Sequence, residues 1–192
     1  MKSLIVIPSC TRDRAGQDAQ RELLRGYDYR FFLGVGNSYS ALDRDEVILP
    51  VRDDYMALAE KVRQAFGWAL DHEYDYCFKC DRDTFIHPDR LMAALPEGKD
   101  YVGLVGNPGD CCGGGAGYWL SRHAMSVYLQ NAGHESRANW AKWHNFEDWC
   151  VFTTLDRSNP KISPQCDRRY WDLRLGPVPD PETNITWNPW KP

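Results

Sequence analysis

Short apolar runs alternate with amphipathic stretches along most of this chain, and that alternation restricts what it can fold into. Ser3 to Ile7, Tyr29 to Val35, Glu46 to Pro50, Tyr74 to Cys80, Tyr101 to Gly106 and Tyr118 to Ser121 read as strands. Ala19, Leu23 and Leu24 recur at helical spacing within Ala15 to Arg25, with Gly26 as a stop. Leu58, Val62, Ala65, Phe66, Ala69 and Leu70 mark a longer helix, capped by Asp53 or Asp54. Pro88 suits the first turn of a short helix to Leu95, and Ser121 caps one to about Gln130. Asn145 can cap another, with Glu147 and Asp148 in its first turn, where the helix dipole favours acids. Strands alternating with helices predict an α/β fold with a mostly parallel sheet. No linker divides the chain, so residues 1–192 are expected to form one domain. Its core runs to about residue 157, and 158–192 is expected to be an irregular Pro- and Trp-rich wrap.

In such sheets ligands bind beyond the carboxyl ends of the strands. That places Ser9 to Arg14, Asp81 to Asp83 and the loop before Gly113 on one rim. Asp81-Arg82-Asp83 closes the apolar-aromatic run that starts at Tyr74. Two carboxylates one residue apart supply the hard oxygens that a divalent ion bridging two phosphates needs. The alternative is a solvated turn in which Asp83 caps the next segment. Gly113-Gly114-Gly115-Ala116-Gly117 allows close backbone approach to a ligand, or simply makes a sharp turn. Glu147-Asp148 is either a pair of dipole partners or a source of a catalytic base facing that rim. Lys61 and Lys79 are cations that can neutralise phosphate if they reach it.

Lys plus Arg is 23 against 27 Asp plus Glu, a net charge of −4, which argues against electrostatically driven nucleic-acid binding. Arg168, Arg169 and Arg174 leave room for a local phosphate contact. No stretch approaches the roughly 20 apolar residues of a membrane span. The first residues read as a strand and not as a secretory signal, so the expected location is the cytoplasm of a bacterium or of a virus-infected host cell. The seven cysteines are expected to be free thiols. Cys77 and Cys80 lie three apart in a predicted strand, where side chains point to opposite faces, so they are not expected to share a metal.

The order of these segments resembles the β-1,3-galactosyltransferase and Fringe group of inverting glycosyltransferases. Arg21-Glu-Leu-Leu24 resembles that family's early helix, and Phe31-Phe-Leu-Gly34 its second strand. The Arg52-to-Lys61 segment resembles its Asp-x-Tyr-x-Asn-Leu-Thr-x-Lys helix, and Tyr76 to Ile86 its strand and acid triplet. Gly114 to Arg122 is similar to its Gly-Gly-Ala-Gly segment, and Phe146-Glu-Asp-Trp149 to its late Glu-Asp motif. The resemblance spans Thr11 to about Leu155. It implies a glycosyltransferase A-type, Rossmann-like fold, a UDP-sugar donor, and Mn²⁺ or Mg²⁺. It further implies that Asp83 is a direct metal ligand, that Asp81 lies nearer the nucleotide ribose or the metal, and that Asp148 is the general base. Ser9, Thr11, Arg14, Asp54, Lys61, Asp81, Arg82, Gly114, Gly115 and Glu147 are the residues expected around the donor. The middle of the triplet is Arg82, where the family carries an acid. No histidine follows His144, which leaves Asn188, a tail carboxylate or water for the last metal position. The acceptor stays open among a glycan, a protein hydroxyl and a hydroxymethylated viral DNA base. A non-catalytic module that binds a nucleotide sugar or glycan on the same fold is the alternative.

Overall fold

Residues 4–8 of this chain are apolar on both sides, and with Ser3 they form an interior strand. In the computed structural model, which describes residues 1–10, 14–35, 42–105, 111–132, 146–173, 180 and 182–188 (Arg14 as backbone alone), β1 (Ser3–Pro8) lies inside the sheet. It pairs in parallel with β2 (Tyr29–Val35) on one side and β4 (Tyr76–Lys79) on the other. β3 (Glu46–Arg52) extends the β2 edge in parallel. Beyond β4 come β7 (Tyr118–Ser121), β6 (Tyr101–Gly103) and β8 (Gln165–Cys166), giving the order β3-β2-β1-β4-β7-β6-β8. β7 runs antiparallel to both neighbours. The expected α/β fold with a mostly parallel sheet forms.

Period-two alternation sends successive side chains into two cores. Leu4, Val6, Cys77, Tyr118 and Leu120 point to one face, against α2 (Leu58–Asp71), α4 (Arg122–Asn131) and α5 (Glu147–Asp156). Ile5, Ile7, Tyr76, Phe78, Cys80 and Trp119 point to the other, with Leu24 after α1 (Arg14–Leu23) and Leu91 of α3 (Pro88–Ala93). Cys77 and Cys80 therefore face opposite cores, as their spacing predicts, and none of the seven cysteines, all among the described residues, forms a disulfide. Each fully buried Phe or Leu contributes about 1.5–3 kcal/mol, so both faces stabilise the sheet.

Three expectations change. Residues 158–192 are not simply an irregular wrap, because they supply β8, β9 (Tyr170–Asp172) and β10 (Thr186–Asn188). β10 pairs with β5 (Phe85–Ile86) and β9 in a second, three-stranded sheet. α1 buries Gln17 and Gln20, while Ala19 is exposed and Leu23 half-buried. Those amides are tolerated inside because they bond to Ser9 Oγ and to the Arg82 and Thr84 carbonyls. Asp54 caps a 3-10 turn, Tyr55–Ala57, that leads into α2, and does not cap α2 itself. Asn145 lies outside the described residues, and the residue flanking α5, Phe146, makes no side-chain cap. Among the described residues no helix is long and apolar enough to cross a membrane.

Candidate active site

The antiparallel course of β7 assembles the site. Lys79, at the end of β4, is in register with Tyr118, at the start of β7. The Gly-rich turn before Tyr118 therefore lies at the same end of the sheet as the acids that follow Lys79. Ser9, following β1, and the N-terminus of α5 complete that rim.

Gly114 is its hub. Its N–H donates to Asp148 Oδ2 at 3.1 Å, and its carbonyl accepts from Lys79 Nζ at 3.2 Å. The next two carbonyls are held as well, Gly115 by Thr84 Oγ1 at 2.6 Å and Ala116 by Thr186 Oγ1 at 2.5 Å. A Cβ on Gly114 would collide with the Glu147 carboxylate, and one on Gly115 would come within 3.0 Å of Asn188 Cγ. A side chain at Gly114 would displace the buried Glu147 carboxylate, and one at Gly115 would need Asn188 to give by a few tenths of an ångström. Gly117 has a positive φ of 89°, and a Cβ there would strike the Phe78 ring.

Lys79 is 1% exposed, and its ammonium bridges Asp81 Oδ1 at 2.7 Å and Glu147 Oε1. The other Glu147 oxygen accepts from Tyr118 OH at 2.7 Å. Burial works against the charge on Lys79, but Asp81 and Glu147 outweigh it and hold its pKa above the ordinary lysine value. Burial pushes Glu147 up to about 7, with Lys79 opposing and Asp148 and Asp81 adding to the rise. A carboxyl raised from 4.5 to about 7 favours the folded state below pH 4.5, and that contribution is lost as pH rises through 7. Glu147→Gln is accordingly expected to flatten the fall in thermal midpoint across this window. The difference from wild type is about 3 kcal/mol at most, read as several degrees in melts at both ends. Equal slopes in the two proteins would refute this assignment.

Asp148 is half-buried, with Oδ1 on the Trp149 N–H at 2.8 Å and Oδ2 on Gly114. Asp81, Arg82 and Asp83 are each half-exposed. Asp83 Oδ1 accepts from Asn188 Nδ2 at 3.3 Å, so β10 of the tail reaches the acid turn. Ser9 is buried; its Oγ accepts from Gln17, and its carbonyl accepts from Lys61 Nζ at 2.7 Å. Lys61 is 3% exposed and also pairs with Asp53 at 2.8 Å, so its charge is met inside the protein. Asp53 in turn accepts from the Gly34 N–H. Asp54 accepts from Ala57 N–H and pairs with Arg52 at 3.4 Å. Thr11 and the Arg14 side chain lie outside the described residues.

The structure thus gathers Asp81, Gly114, Gly115, Glu147 and Asp148 around one turn, with Asp83 joined to it through Asn188. Lys61 and Ser9 form a separate buried brace between β1 and α2, and Asp54 caps its own turn. Lys79 and Asn188, both candidates from the sequence, join them in roles other than those expected, and Tyr118 is the addition. A lone lysine inside an apolar strand run was the available sign for Lys79.

No protein-family model matches the sequence, and no curated protein matches it. Among solved structures, a glycosyltransferase involved in the glycosylation of the major capsid of PBCV-1 is similar, with a TM-score of 0.61 at 10% identity. The match covers 98% of this chain and 93% of that one. The likeness is one of fold: the two chains share a mixed α/β architecture along nearly their whole lengths.

Proposed function

We propose that this protein is a metal-dependent inverting glycosyltransferase, moving a hexose or N-acetylhexosamine from a UDP-sugar to an acceptor hydroxyl. The observation that carries this reading is the convergence of the Asp81–Asp83 turn, the Gly114 turn and Asp148 at one rim of a fold shared with a glycosyltransferase. Among the described residues no group of three or more His, Cys, Asp or Glu is placed to hold a metal ion unaided. Two carboxylates nevertheless suit an ion such as Mn²⁺ or Mg²⁺ whose remaining positions are filled by a diphosphate and water. Asp83 and Asp81 would hold it, and it would offset the charge developing on the leaving nucleoside diphosphate.

The side chains do the rest. Asp148, oriented by two backbone N–H groups, takes the proton of the acceptor hydroxyl. The hydroxyl oxygen bonds to the sugar C1 as the bond from C1 to the diphosphate oxygen breaks, and UDP leaves with the electron pair. One in-line displacement inverts the centre and needs no enzyme nucleophile. Glu147 and Lys79 hold the turn to which Asp148 is tied. The acceptor belongs to one of three classes: a glycan, a protein, or a modified nucleic-acid base.

Calorimetric titration of the protein with UDP-glucose, UDP-galactose and UDP-N-acetylglucosamine tests the reading, with Mn²⁺, with Mg²⁺ and with chelator. At least one donor is expected to bind only with the ion present, and Asp83→Ala to weaken that binding by at least about tenfold. Failure of every donor, or binding indifferent to both ion and Asp83, would sink it.

A further inference from the structure

A cleft of about 630 Å³ opens between α1 and the Arg82–Phe85 segment, on the α1 side of the acid turn. Its volume lies within the range of small-molecule sites. Ala19 and Leu23 of α1, with Phe85, supply its apolar lining. Phe85 is half-buried and stacks on Trp187 with centroids 3.9 Å apart and planes 14° from parallel, so the ring is held rigid. The rim carries Glu22, Arg82 and Asp83. Gln20, also in the wall, fixes the floor through its two bonds to the Arg82 and Thr84 carbonyls. Its own amide oxygen is buried and has no hydrogen-bond partner among the described residues.

We infer that this cleft is a saccharide subsite, which holds a neutral pyranose of the acceptor glycan. A pyranose has an apolar C–H face and a hydroxyl edge. The first matches a fixed aromatic ring and the second matches carboxylate and amide acceptors. Two acids against one guanidinium leave no excess positive charge at the rim, which disfavours a phosphate-bearing occupant. Asp83 lies in both the cleft wall and the acid turn, so an occupant sits beside the donor. Asp148 is not among the residues that line the cleft, so the ring bound there is not the one that reacts. The acceptor is therefore an oligosaccharide, gripped at a residue remote from the chemistry, where binding energy positions the reacting hydroxyl. The word acceptor rests on the transferase reading; saccharide binding in the cleft does not.

Saturation-transfer NMR on the intact protein with methyl glucoside, galactoside, N-acetylglucosaminide and rhamnoside tests it. At least one is expected to bind saturably. Ala19→Trp fills the cleft from an exposed helix position and should abolish that signal. Phe85→Leu keeps an apolar body without the aromatic face and should weaken binding by about tenfold. Both variants should keep the wild-type circular dichroism and the wild-type affinity for UDP with Mn²⁺. The inference is overturned if no pyranoside binds, or if binding survives Ala19→Trp. Loss of UDP affinity in either variant would also overturn it, by making the cleft the nucleoside pocket. If wild type binds a pyranoside there but no UDP-sugar, the transferase reading fails and the saccharide subsite stands.

Discussion

Asp148→Asn is expected to slow sugar transfer by about 10²–10⁴-fold, the range that a general base contributes. The asparagine keeps the size of the side chain and can still present its oxygen to the Gly114 or Trp149 N–H. It cannot take a proton. Since each carboxylate oxygen uses one lone pair on a backbone donor, Asp148 retains acceptor capacity for an incoming hydroxyl. Donor affinity should stay within about twofold of wild type, because the interaction lost is made to the acceptor in the transition state. Turnover measured as UDP release with saturating donor and acceptor, beside a UDP titration, separates the two effects. Turnover within about tenfold of wild type would remove Asp148 from the role of base. A parallel loss of UDP affinity would assign it to donor binding instead. The module that binds without catalysis predicts no turnover in wild type to begin with.

Much of the fold was legible because the sheet is buried on both faces. Ser3 to Ile7 and Tyr74 to Cys80 carry apolar side chains to two cores at once, and such runs stand out from the polar sequence around them. Asp81, Asp83 and Asp148 were legible as acids next to element ends. The inward face of α1 was not, since Gln17 and Gln20 look like solvated positions. Gln20 is held inside by backbone carbonyls 62 and 64 residues away in sequence, at Arg82 and Thr84, and Gln17 by Ser9 Oγ on the neighbouring strand's end. The second sheet was illegible for another reason. β5, β9 and β10 have two or three residues each, too few to display a period. Lys79 sat in plain view within a strand, but its partner Glu147 is 68 residues on, and only the antiparallel return of β7 brings the Gly-rich turn between them.

At pH 8, where Glu147 is ionised beside the lysine, Lys79→Met is expected to destabilise the protein by about 3–5 kcal/mol, the cost of removing one member of a buried ion pair. In a domain of this size that lowers the thermal midpoint by on the order of 10 °C. Methionine fills most of the volume of the lysine stem, so a cavity is not the cause. The cause is that Glu147, 4% exposed, loses its cation, and the Gly114 carbonyl loses its donor. Asp81 suffers less, because it is half-exposed and can turn to water. The double variant Lys79→Met/Glu147→Gln separates charge from shape. With no unpaired acid left inside, it should recover a large part of the lost stability, leaving only the cost of the Gly114 carbonyl and of Tyr118 OH facing an amide. Melts of the wild type, both single variants and the double close that cycle. A coupling near zero, with Lys79→Met melting within a degree or two of wild type, would mean that the buried lysine is not what holds the acid and the glycine turn together.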